Sequence, residues 1–307
     1  MDEANWATDA FEEHRVHLRS VAYRMLGSVN DADDAVQEAW LRLARSDIDA
    51  VRDLRAWLTT VVARVALDML RSRSSRRESA LGLLPDPLIQ PVGADGSDAD
   101  DPAEQAQQAD AVGLALQIVL ETLSPTERLA FVLHDVFGVP FDQIGELTGR
   151  STSAAKQLAS RARRRVRQGQ SLPNATPRRQ RQVLDAFLAA AGDGNFVGLV
   201  AILDPAVVLR ADAGPNSPLS QTVRGASAVA AQAMRYASMS ATARPVLVNG
   251  MPGLVAVPNG RPFALLAAAI RDDRIVEIDI FADPDRLARL LPTSVTAGWA
   301  EPDGTQV

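Results

Sequence analysis

Two all-α modules followed by an α+β unit is the architecture that this 307-residue sequence predicts, and three observations predict it. Apolar residues recur at helical spacing through the first half. Around Gly149 a short helix, a glycine turn and a longer basic helix stand at helix-turn-helix spacing. Beyond Pro205 the period shortens to that of strands, several of them joined by Asn-Gly turns.

The first module reads as helices over about Ala10–Leu26, Asp31–Ala44 and Leu54–Ser72. Gly27 is placed to end the first helix in the left-handed conformation, and Asn30 to cap the second, with Asp31, Asp33 and Asp34 near its positive end. In the third, Leu54, Trp57, Leu58, Val61, Val65 and Met69 form an apolar stripe, while Arg64 and Arg71 share a different face. The composition then turns to Pro, Gly, Asp and Gln from Leu84 to about Asp110. Such a stretch cannot bury enough apolar surface to fold alone, and it reads as a flexible acidic linker.

Helical periodicity returns at Ala111–Leu123. Ser124-Pro125-Thr126-Glu127 is a capping box, with Pro125 at the first helical position of a helix running to Phe137 and ended by Gly138. After Pro140 come a short helix to Leu147, the turn at Gly149, a cap at Ser151 and a helix to about Gln168. Ala155, Ala159, Ala162 and Val166 form its inward stripe. Ser153, Gln157, Ser160, Arg161 and Arg164 are left outside, with Leu158 at the flank, either packed on the scaffold or free to touch a thymine methyl. Arginine can grip guanine bidentately and glutamine adenine, so this face suits the major groove; a solvated basic helix is the bland alternative.

A second linker, Gly169–Pro177, precedes a helix holding Leu184, Phe187, Leu188 and Ala191 and broken at Gly192-Asp193-Gly194. Strands are expected at Val207–Ala211, Pro245–Val248, Leu254–Val257, Pro262–Ile270 and Arg274–Phe281, with a helix at about Ala226–Ala237 after the first. Asn249-Gly250, Asn259-Gly260 and Asp272-Asp273 supply the turns, and the strands are expected to run antiparallel. The domain boundaries are thus 1–80, a linker at 81–110, 111–170, a linker at 171–177, and 178–307.

Composition excludes several classes. With no cysteine, disulfides and thiolate metal sites are ruled out and a reducing cytoplasm is expected. The N-terminus lacks a signal-peptide pattern and the longest apolar runs fall short of a membrane span, so a soluble, cytoplasmic chain without cleaved leader is expected. The net charge of −6 argues against binding nucleic acid over the whole surface. Its distribution matters more: Arg71, Arg73, Arg76 and Arg77 crowd one stretch and Lys156 to Arg167 another, two basic patches on an acidic molecule.

Two separated segments then resemble one family. Asp31-Ala-Asp-Asp-Ala-Val-Gln-Glu-Ala-Trp40, Arg55-Ala-Trp-Leu58 and Ala63 to Arg71 look like region two of extracytoplasmic-function sigma factors, and Leu123 to Arg128 with the helix-turn-helix like their region four. The resemblance implies that Asp33, Asp34 and Glu38 dock on core RNA polymerase, that Arg64, Arg71, Arg73, Arg76 and Arg77 hold the opened minus-ten promoter DNA, and that Ser153, Lys156, Gln157, Ser160, Arg161 and Arg164 read the minus-thirty-five element. Val65 stands where many members carry Asn, so minus-ten specificity does not transfer.

The last third is similar to the SnoaL-like branch of the NTF2-like fold, a curved sheet enclosing a cone, which marks a subgroup of these sigma factors. Leu83-Leu-Pro-Asp-Pro87 and Asp283-Pro-Asp-Arg-Leu287 resemble its linker and late motifs, whereas its glycine-rich loop is replaced by Asp212-Ala-Gly-Pro-Asn216. The resemblance implies a regulatory extension acting through Pro85, Asp86, Pro87, Asp212, Gly214, Asp283, Pro284 and Asp285, by packing on the sigma domains or by a small ligand in the cone. No cofactor or metal is expected. Two alternatives stand beside it: an acid/base cyclase or isomerase using Asp212 or the pair Glu277 and Asp279, and a plain helix-turn-helix repressor. All three histidines (His14, His17, His134) lie outside this domain, which leaves such carboxylates without a local His partner.

Overall fold

The computed structural model describes residues 3–45, 53–75, 84–92, 114–168, 176–214, 217–296 and 299. The chain forms two compact units, Met1–Ala80 with Gln117–Gln170, and Leu81–Leu116 with Ser171–Val307.

The first unit holds α1 (Glu3–Leu26), α2 (Val29–Leu43) and α3 (Leu54–Ser75), then α4 (Leu114–Glu121), α5 (Pro125–Phe131), α6 (Phe141–Thr148) and α7 (Thr152–Gln168). Gly27 takes φ 69°, as a left-handed helix end requires. The cap of α2 is Ser28, not Asn30: its Oγ accepts from Asp31 N at 3.4 Å, because the helix starts two residues earlier than the acidic run suggests. The core side of α3 passes through Leu58, Val62, Val65, Ala66 and Leu67, while Trp57, Val61 and Met69 are half-buried; small Ala63 and Ala66 let the helix pack closely against α1 and α2. The capping box at Ser124 forms in full, and Glu127 is held there by Ser124 Oγ at 2.7 Å. The helix that periodicity carries to Phe137 is α-helical only to Phe131. A π turn follows at Val132–Val136, its Phe137 N donating to Val132 O at 3.2 Å, before Gly138 (φ 70°) ends it.

The second unit comprises β1 (Ile89–Pro91), α8 (Pro177–Gly192), α9 (Phe196–Ile202), β2 (Leu203–Asp212), β3 (Gln221–Arg224), α10 (Ala226–Arg235), β4 (Ala243–Val248), β5 (Met251–Ala256), β6 (Ala264–Arg271), β7 (Arg274–Phe281), α11 (Pro284–Leu290) and α12 (Thr293–Thr296). The seven strands form one mixed sheet in the order β1-β4-β5-β6-β7-β2-β3. Asn249, Asn259, Asp272 and Asp273 all take positive φ, so the three turn dipeptides do what their chemistry allows. Helices α8, α9 and α10 cover one face, where Leu184, Phe187, Leu199 and Val229 pack on Val207, Leu209, Leu254, Ile270 and Ile278.

Two further expectations are corrected. The strands are not all antiparallel: β2 pairs β7 in parallel, Asp212 lying opposite Phe281. And the start of the acidic linker is no free tether, because Ile89–Pro91 adds an edge strand to β4, with Ile89 opposite Val248. The segment is too poor in apolar residues to fold by itself, as its composition says; it borrows backbone partners from the sheet.

Candidate functional site

On α7 the outward face is as expected. Ser153, Lys156, Gln157, Ser160, Arg161 and Arg164 are all exposed, and among the described residues Lys156, Gln157, Arg161 and Arg164 have no protein partner. Two other arginines of the helix are matched: Arg163 lies 2.8 Å from Asp135 and Arg165 2.6 Å from Glu127, while Arg167 is exposed near the helix end. Thus acids of the scaffold neutralise Arg163 and Arg165 and leave Lys156, Arg161 and Arg164 without a counter-ion among the described residues. Leu158 is buried, so it packs on the scaffold and is not offered to a base. Gly149 (φ 66°) makes the turn between α6 and α7.

On α3, Arg64 and Arg71 are exposed; Arg71 makes a loose pair with Asp68 at 3.6 Å. Arg73 is used differently. It ion-pairs with Asp31 and donates to Leu26 O at 3.3 Å, tying the end of α3 to the corner between α1 and α2. Arg76 and Arg77 lie outside the described residues. Of the acids, Asp33 pairs with Arg19 at 2.6 Å and Glu38 with Arg42 at 3.1 Å, whereas Asp34 is exposed and without a partner among the described residues. Exposed ion pairs of this kind are worth under about 1 kcal/mol and yield readily to a better partner.

Sequence reasoning missed the residues that hold the two lobes of the first unit together. The C-terminal carbonyls of α1 face Gln117, whose Nε2 donates to Tyr23 O at 3.2 Å, and Arg128, whose Nε donates to Arg24 O at 2.9 Å. Arg128 also reaches Glu121 at 2.8 Å. Burial pushes its guanidinium pKa down, and Glu121 opposes this. In sequence Arg128 is one more polar residue behind a capping box; nothing marks it as interior.

In the second unit most of the residues expected to be regulatory lie around Arg286, which sequence reading omitted. Arg286, only 9% exposed, donates to Asp212 at 2.6 Å, to Asp86 at 2.9 Å and to Leu84 O, and its guanidinium stands 5.1 Å from the Phe281 ring. Asp212 accepts in turn from Leu84 N at 3.1 Å and Gly214 N at 3.1 Å. Leu88 N donates to Asn249 Oδ1 at 2.8 Å and its carbonyl accepts from Asn249 N at 2.7 Å, a second grip also missed. Pro85 and Pro87 are buried between these contacts. Asp283 caps α11, accepting from Arg286 N at 3.1 Å, with Pro284 at the first helical position; Asp285 is exposed in that turn and stands apart from the clasp. At Gly214 (φ 97°) a Cβ would come within 2.8 Å of the Asp283 carboxylate, so this position of the substituted loop needs glycine.

The enzymatic alternative finds its carboxylates elsewhere engaged. Glu277 and Asp279 both pair with Arg210, Asp279 at 2.9 Å, on the sheet face opposite Ile278 and Ile280, which line the cavity between sheet and helices. Among the described residues no carboxylate or histidine lines that cavity, and no cluster of side chains could hold a metal ion.

Asp279 carries a pH signature. Burial raises its carboxyl to about 6, outweighing Arg210, which pulls it down. A carboxyl held above its unfolded value of 3.8 contributes stability that is fully present below about pH 4 and lost as pH rises through 6. Asp279→Asn is therefore expected to gain on the parent between pH 4 and 7, by on the order of 2–3 kcal/mol if the whole shift is realised. Urea midpoints of both proteins across that range check this; parallel pH curves would refute it.

Family comparison assigns both helical lobes. A model described as Sigma-70 region 2 matches residues 10–76, and one described as Sigma-70, region 4 matches residues 114–166. The ECF RNA polymerase sigma factor SigJ of Mycobacterium tuberculosis is 39% identical over 291 residues, spanning 90% of this chain and 91% of its own. The probable ECF sigma factor SigI of the same species is 35% identical, spanning 94% and 97%. The crystal structure of Mycobacterium tuberculosis SigJ superposes with a TM-score of 0.73 at 34% identity, covering 92% of this chain and 98% of that one. No helix among the described residues is long and apolar enough to cross a membrane.

Proposed function

The chain belongs to the extracytoplasmic-function family of RNA polymerase sigma factors, and on that premise we propose that its C-terminal unit governs initiation by gripping the tether that joins the two promoter-reading lobes. The observation that carries this reading is the clasp of Arg286 and Asp212 on Leu84 and Asp86. The tether lies between α3 and α4 in the chain, so how far the lobes can part depends on how much of it is free.

In this reading core RNA polymerase is the partner of Asp33, Asp34 and Glu38. Exposed Arg64 and Arg71 hold the backbone of the opened minus-ten strand, with the half-buried Trp57, seven residues before Arg64, offering part of its ring for stacking. Arg73 serves the fold of the lobe first. The exposed face of α7 reads the minus-thirty-five duplex, where unmatched Lys156, Arg161 and Arg164 supply charge and Gln157 and the serines supply polar contacts. Acid/base turnover finds little support in a cavity whose described lining holds Tyr236 but no carboxylate or histidine, and in this reading the C-terminal unit acts as a binding module.

Reconstitution with core RNA polymerase on promoter DNA tests this. The parent chain is expected to start RNA synthesis at defined sites. Arg164→Ala is expected to lower duplex affinity by about tenfold and to reduce the slope of log affinity against log salt by about one if Arg164 holds a phosphate. Asp33→Asn with Glu38→Gln is expected to abolish co-purification with polymerase. Initiation that is indifferent to all three changes would sink the assignment of these residues.

A further inference from the structure

The second unit encloses a cavity of about 150 Å³ between its sheet and helices α8 and α10. Its wall is mostly hydrocarbon, with Phe187, Leu209, Leu254 and Ile278 deep and Leu219 and Phe263 at the rim, and Gln221, Gln232, Tyr236 and Ser240 are its polar members. The rim residues are 47% and 37% exposed, so an apolar entrance faces outward. Within this wall Gln232 is 8% exposed and, among the described residues, has no hydrogen-bond partner. A primary amide carries two donors and a two-lone-pair acceptor, and these stay available to a molecule that enters the cavity.

We propose that this cavity is a binding site for a small, uncharged, mostly hydrocarbon molecule bearing one hydrogen-bonding group, which pairs with Gln232. The chemistry selects that class. A charged ligand would lose its hydration against a wall that offers no counter-charge. A cavity of about 150 Å³ holds about one benzene ring, and the open rim lets a second ring extend between Leu219 and Phe263. A hydroxyl or carbonyl on the buried ring completes Gln232.

The site is wired to the clasp, and this part of the inference rests on the regulatory reading above. Ala211 and Ala282 line the cavity, and the next residue of each strand end, Asp212 and Asp283, belongs to the clasp. Ala282 N donates to Asp212 O at 2.7 Å, so the two strand ends move together. Alternation along a strand turns Ala211 to the ligand and Asp212 to the tether. Occupancy of one face thereby bears on the grip at the other.

The full-length chain titrated with N-phenyl-1-naphthylamine, an uncharged fluorophore, tests the site. Saturable binding near one dye per chain is expected, and Ala233→Phe, which fills the cavity, is expected to abolish it. In competition, 1-naphthol is expected to displace the dye at about tenfold lower concentration than 1-methylnaphthalene, of the same shape, as expected for one hydrogen bond to a buried group. Gln232→Leu, which keeps the wall apolar, is expected to retain dye binding and bring the two competitors to about equal potency. The anion 1-naphthoate is expected not to compete. No saturable binding by the parent, undiminished binding by Ala233→Phe, a naphthol preference that survives Gln232→Leu, or equal competition by 1-naphthoate would each overturn the proposal. Dye binding reports on the cavity alone and the transcriptional response to Arg286 replacement on the clasp alone, so the failure of one is separable from the failure of the other.

Discussion

Arg286→Met is expected to destabilise the second unit by about 3–5 kcal/mol, the cost of leaving a buried carboxylate without its counter-ion. The carboxylate is that of Asp212, whose side chain is 2% exposed, and the same change strips Leu84 O and Asp86 of their donor. Methionine keeps most of the hydrocarbon volume, so the loss is mainly electrostatic and hydrogen-bonding. A free energy of that size corresponds to a local opening at least about a hundredfold more populated, and proteolysis in the fast-exchange regime follows that population. Thermolysin cleavage at Leu88 and Ile89 is therefore expected to accelerate by that factor, and initiation from a fixed promoter to change with it. Arg286→Met combined with Asp212→Asn removes both charges and is expected to recover a large part of the stability, which is the mark of a coupled pair. Unaltered cleavage of residues 84–91 in the single variant would mean that Arg286 does not hold the tether.

Arg128→Ala is the second large effect, expected at about 3–5 kcal/mol in the first unit, because it removes the donor to Arg24 O, the partner of Glu121 and the volume of a fully buried side chain at once. Glu121 is half exposed and can turn to water, so its share is small. Arg128→Met restores volume without the hydrogen bonds and is expected to cost about 1–3 kcal/mol, which isolates the orphaned helix-end carbonyl. Arg164→Ala, on the exposed face of α7, is expected to stay within about 0.5 kcal/mol. Urea unfolding of the three variants orders them. A small effect for Arg128→Ala would show that the lobes do not depend on this contact. The same contact sets a cost for any state in which the lobes separate, since α1 then gives up a capping donor and Arg128 gives up Arg24 O.

The candidate sites differ in how much of them could be read in advance. The face of α7 was legible because helical periodicity assigns each position to core or solvent, and an exposed helix face needs no partner to be complete. The clasp was half legible. Sequence alone points to Asp212, Asp86 and Asp283 but not to Arg286, even within Asp283-Pro-Asp-Arg-Leu287. A charged residue on an amphipathic helix end reads as solvated until a buried carboxylate is known to lie opposite. Arg73 errs the other way: its cluster suggests a DNA contact, and its side chain turns inward to Asp31.

Local sequence determined the helices, their caps and turns, the outward basic face of α7 and the switch from helices to strands, because each rests on interactions between residues a few positions apart. Only the tertiary structure decided the clasp. Parallel pairing of β2 with β7 brings the ends of two strands separated by some seventy residues to the same side of the sheet, and with them Asp212 and Arg286. An antiparallel pairing, equally compatible with the alternation of either strand, would have set those ends apart. The sheet likewise recruits Ile89–Pro91, a segment with too little apolar surface to order itself, since an edge strand offers hydrogen bonds that no local pattern announces.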